Sequence, residues 1–155
     1  MTLKPDRQED AVELRYFLNE VADAGLIVCK STSGSGVAMD ATANLATVKA
    51  TTSGALPIGL LLNEFVSVDQ TRQYPNWHKD QADLGDKAAI LTKGWVVTDK
   101  IVGTAIAGRN AVLVSSGFVT NSVVGNGNDE NINHTVGRFR TGSDEDGFAT
   151  LYVDL

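Results

Sequence analysis

The sequence predicts a mainly β fold: a small single-domain β-sandwich or barrel, with a flexible N-terminal arm and room for one short helix. Three observations predict it. Fifteen glycines among 155 residues, with abundant Thr, Ser, Asn and Asp, suit short elements joined by many turns. Strand-like apolar runs recur between those turns at the spacing of a sandwich or barrel. The last run has a period of two: Ala149, Leu151, Val153 and Leu155 alternate with Thr150, Tyr152 and Asp154, as in a strand with one buried face. A chain of this length fills one core and leaves little for a second independent domain.

Met1 to Asp10 holds few apolar residues, a proline and five charges, so it has little reason to pack on its own domain. It reads as a flexible arm over residues 1–10, ahead of one β-rich domain over 11–155. Leu14, Phe17, Leu18 and Val21 lie at helical spacing before Gly25, which suits an amphipathic helix over 10–24. The same stretch reads equally as two short strands, RYFLN and LIVC, around the turn-prone ADAG. Both readings stand on the residues alone. Cys29 is the lone cysteine, which rules out an intramolecular disulfide, and beside Val28 it reads as a small buried apolar residue.

From Lys30 onward the strand-like runs are GVAM, LATVKA, PIGLLLNEFVSV, AAILTKGWVVT, AVLVSS, GFVTNSVV, TVGRFR and GFATLYVDL. Trp95, inside the alternating GWVVT run, reads as core. Val124 to Asn133 is asparagine-rich without apolar periodicity and reads as an exposed loop. No repeat of fixed period points to a solenoid or propeller.

Thirteen basic against nineteen acidic residues give a net charge of −6, which disfavours direct nucleic-acid binding. No apolar run approaches the roughly 20 residues of a membrane span. The charged N-terminus lacks the pattern of a secretory signal, so the chain is expected to stay in the cytoplasm where it is made.

The search for chemistry predicts no catalytic, cofactor-binding or metal-binding site. His78, Lys79 and Asp80 are contiguous, and in an extended segment they point to alternate faces, which suits a solvated or interface cluster better than a converging catalytic set. STSGSG lacks the frame of a nucleophile elbow. GSDEDG places Asp144 and Asp146 as in the middle of a calcium loop, but Gly142 and Val153 stand where the first and twelfth ligands belong. A hairpin turn at Asp146 and Gly147 explains those residues better. One Cys and two distant His leave zinc without a ligand set.

Between Pro57 and Asp99 the chain resembles the head decoration (cement) proteins of tailed bacteriophages. The resemblance is carried by GLLLN at 59–63, VDQTRQ at 68–73, HKD at 78–80 and LTKGWVVT at 91–98, and then by VGRF at 136–139 and DEDGFATLYVDL at 144–155. It covers most of the chain from about Arg15 onward. It implies a non-enzymatic virion protein added to the outer capsid surface, with the major capsid protein and two further copies of itself as partners. The homotrimer would sit at three-fold or quasi-three-fold positions. Candidate capsid or trimer contacts are Arg72, Tyr74, Trp77 and His78, in a turn-rich stretch holding the side-chain types that anchor interfaces, and Leu3, Lys4 and Pro5 of the arm. Trp77 and Tyr74 equally suit a cap on the core. Two other function classes compete: a host-surface or glycan-binding module displayed on the virion, and a hydrolase using His78 with Asp80 or Asp83.

Overall fold

The computed structural model describes residues 3–31, 46–50, 56–62, 81–121 and 134–155. The chain is mainly β, as the glycine spacing and alternation predict, with a large sheet and a small one. Its strands are β1 (Gln8–Glu13), β2 (Phe17–Leu18), β3 (Ala22–Asp23), β4 (Ile27–Lys30), β5 (Ala46–Lys49), β6 (Pro57–Leu61), β7 (Gln81–Ala82), β8 (Ile90–Thr98), β9 (Asn110–Leu113), β10 (Val119–Asn121), β11 (Thr135–Phe139) and β12 (Ala149–Asp154). The main sheet runs β10-β9-β11-β12-β8-β6-β4-β5-β2, with β1 also paired to β8, and β3 pairs with β7 in the small sheet. Among the described residues no helix is long and apolar enough to cross a membrane.

Successive residues of a strand face opposite sides, and here each side has its own core. Ile27 and Cys29 of β4, Leu60 of β6 and Leu91 of β8 enter a large cluster with Leu113, Phe139, Leu151 and Val153. Their neighbours Val28, Leu61 and Ile90 enter a smaller cluster with Leu18, Ala22, Ala82 and Ala88. Strands buried on both faces read as continuous apolar runs, which is why LIVC and GLLL show no alternation. β12 covers one core only, and its alternation survives: Ala149, Leu151 and Val153 are buried, Thr150 and Tyr152 half-buried, Asp154 exposed.

The helix reading of residues 10–24 is corrected. β1 extends to Glu13, and β2 and β4 fall in the two runs of the strand reading, while half of the expected ADAG turn is the short strand β3, leaving the turn at Ala24 and Gly25. Gly25 turns the chain at φ +89, and a side chain there would meet Thr98 Oγ1. The expectation that the N-terminal segment has nothing to pack on is corrected for residues 3–10. Leu3 is 2% exposed and bridges to Thr98, the Lys4 amide donates to the Val97 carbonyl (2.9 Å), and Gln8 opposes Trp95. One apolar residue suffices: Leu3 fills the large core and brings the polar residues after it along the edge of β8.

Gly147 turns the β11–β12 hairpin at φ +86, and it is the only residue of the Asp146-Gly147 pair at positive φ. Asp144 Oδ1 accepts the amides of Asp146 (3.1 Å) and Phe148 (2.7 Å), so this carboxylate braces a turn, as an Asx side chain does. Cys29 is buried, as its neighbours predict.

Candidate functional site

Cross-strand register carries one row of side chains over five strands. Gln8 of β1 opposes Trp95 of β8, Trp95 opposes Tyr152 of β12, Tyr152 opposes Arg138 of β11, and Arg138 opposes Asn110 of β9. Directly opposed residues share a face. That face is outward, because the next register row, Gly94, Val153, Gly137 and Ala111, includes Val153 and Ala111 of the large core. Trp95 and Tyr152 are half-buried; Gln8, Arg138 and Asn110 are exposed.

The reading of Trp95 as core is therefore corrected. Gly94 and Val96 on either side of it are buried, which turns Trp95 outward. Its Nε1 donates to Gln8 Oε1 (3.1 Å), and Gln8 Nε2 donates to Asp10 Oδ1 (2.8 Å). This chain of bonds fixes the indole against β1. At the other end of the row the Arg140 guanidinium lies over the Tyr152 ring, 4.8 Å from its centre. A cation over a ring face is attracted by the ring quadrupole, which places this guanidinium beside Tyr152.

An open groove of about 500 Å³ lies beside this end of the row, lined by Asn110, Thr135, Gly137, Arg138, Arg140, Tyr152 and Asp154. Gly137 allows the close approach of β11 and β12, because any Cβ there would collide with the Tyr152 carbonyl oxygen. Asp154, the one acid among the described residues of the groove, pairs with Lys93 at 3.9 Å. Among the described residues neither Arg138 nor Arg140 has a carboxylate partner.

Of the arm candidates, Leu3 faces its own core and Pro5 is exposed. Lys4 is held by its own chain: its Nζ donates to Asp144 Oδ2 (2.9 Å) and sits 4.3 Å from the centre of the Phe148 ring. That bond and the Phe148 amide hold the Asp144 carboxyl below the usual carboxylate range. Arg72, Tyr74, Trp77 and His78, like the asparagine-rich loop, lie outside the described residues.

Sequence reading missed Gln8, Asn110, Arg138, Arg140 and Tyr152. The local signal was present for three of them: RFR at 138–140 flanks a core phenylalanine with two outward arginines, and the alternation of β12 turns Tyr152 outward. What joins them into one surface is strand pairing, which local sequence does not encode.

No family model and no curated protein matches the chain.

Proposed function

We propose that this chain is a structural binding protein that decorates the outer surface of an assembled phage head, as a homotrimer at three-fold or quasi-three-fold positions on the major capsid protein. The observation that carries the reading is the outward row Gln8–Trp95–Tyr152–Arg138–Asn110. Trp, Tyr and Arg dominate the energetics of protein interfaces, and here sheet pairing presents them side by side on one face. The resemblance of the central motifs to those of head decoration proteins supports the major capsid protein as the partner in this reading.

The mechanism is mass-action linkage. A ligand that binds only the assembled shell lowers the free energy of that shell relative to its separated subunits, so outward pressure from packaged DNA meets a larger barrier. Three copies held together bind with avidity, and modest contacts by each copy add up to slow release.

The test is cosedimentation of the purified protein with expanded, undecorated heads, with its solution mass measured by light scattering. Saturable binding and increased resistance of the heads to heat are expected. A folded protein that leaves the heads bare, and instead binds members of a glycan array, is the displayed glycan-binding module.

A further inference from the structure

We propose that the groove beside Arg138 and Arg140 binds carboxylates, and that its occupant is an extended acidic segment of a partner protein. The inference rests on the reading of this face as the docking surface and names the chemistry of what docks there. Two guanidiniums stand exposed here, Arg138 on β11 and Arg140 just past its end, without a carboxylate partner among the described residues, in a chain whose net charge is −6. Two arginines against one acid, Asp154, which pairs with Lys93, leave the described lining of the groove net basic on an acidic protein, and such a groove selects an anionic partner by charge complementarity.

Geometry narrows the anion. The Arg140 guanidinium lies over the Tyr152 ring, 4.8 Å from its centre, and a guanidinium fork matches a carboxylate through two parallel N–H···O bonds. Arg138 lines the groove from β11 and Arg140 from just past the strand, two positions on, which in extended chain is about 7 Å. An extended partner presents its own alternate side chains at the same interval, so acids at every second position meet both arginines. Thr135 and Asn110 add neutral hydrogen-bonding groups along the same groove.

The experiment follows the side-chain Nε–H signals of Arg138 and Arg140 by NMR in the full chain, during titration with a capped (Thr-Glu)3 peptide, a capped (Thr-Gln)3 peptide and inorganic phosphate. The glutamate peptide is expected to give saturable shifts at both arginines, and the glutamine peptide none. Arg140→Gln should weaken binding at least tenfold. Arg140→Lys, which keeps the charge and loses the fork, should fall between the two. The proposal is overturned by an unsaturable response to the glutamate peptide, by undiminished binding in Arg140→Gln, or by phosphate binding as tightly as the peptide. Both substitutions are on an exposed side chain, and matching thermal melts establish that they fold. Peptide binding by a protein that ignores phage heads upholds the groove and removes the head as its partner.

Discussion

Single residues set this surface and its edges. Arg15 donates to both oxygens of Glu13 through Nε (2.9 Å) and Nη2 (2.8 Å), which lowers the Glu13 pKa from 4.5 to about 2. A depressed folded-state pKa gives stability that is present above 4.5 and lost as pH falls toward 2. The Arg15 side chain is 75% exposed, so solvent screens the pair and the contribution is small. Carbon-detected titration of the Glu13 carboxyl should give a midpoint near 2, and one near 4.5 would show that the pair does not form in solution. Trp95 shows why single residues mislead. The indole is the kind of side chain that fills cores, and only the inward neighbours Gly94 and Val96 reveal its outward position.

At the scale of elements, strand pairing turns scattered residues into a surface. Gly137 decides how closely β11 and β12 approach, and through that pairing where Arg138 stands relative to Tyr152. Gly137→Ala should cost about 1–3 kcal/mol, the range of an overpacked site, and should weaken head binding along with stability. Urea unfolding checks the first, and a variant as stable as the parent would mean that the two strands separate at no cost. The β12 strand was legible in the sequence because one of its faces meets solvent, which preserves the alternation. The segment from residue 10 to 24 was ambiguous because Leu14, Phe17, Leu18 and Val21 satisfy a helical period by chance. Tertiary pairing with β5, β7 and β8 decided in favour of strands. The N-terminal segment was misread because its single core residue, Leu3, is followed by charges. Composition averages that anchor away. β1 itself then lies exposed along β8, and its charged side chains suit a sheet edge kept from random pairing.

For the whole molecule, two cores on opposite faces of β4 and β6 hold a sheet whose outer face carries the row from Gln8 to Asn110. Fold class was legible from glycine spacing and alternation. The candidate site was not, because its five residues come from five strands spread over more than a hundred positions. The arm and the 72–78 stretch were predicted instead, from composition and from interface-prone residue types. The proposed decoration role assigns the row to the shell side of the molecule, where its aromatic and arginine side chains lose water on docking. The most direct measurement is electron cryomicroscopy of undecorated phage heads incubated with the purified chain. Three copies should appear at three-fold or quasi-three-fold positions on the outer surface, each with Trp95, Tyr152 and Arg138 against the capsid protein. Bare heads, or bound copies whose row faces solvent, would contradict the account.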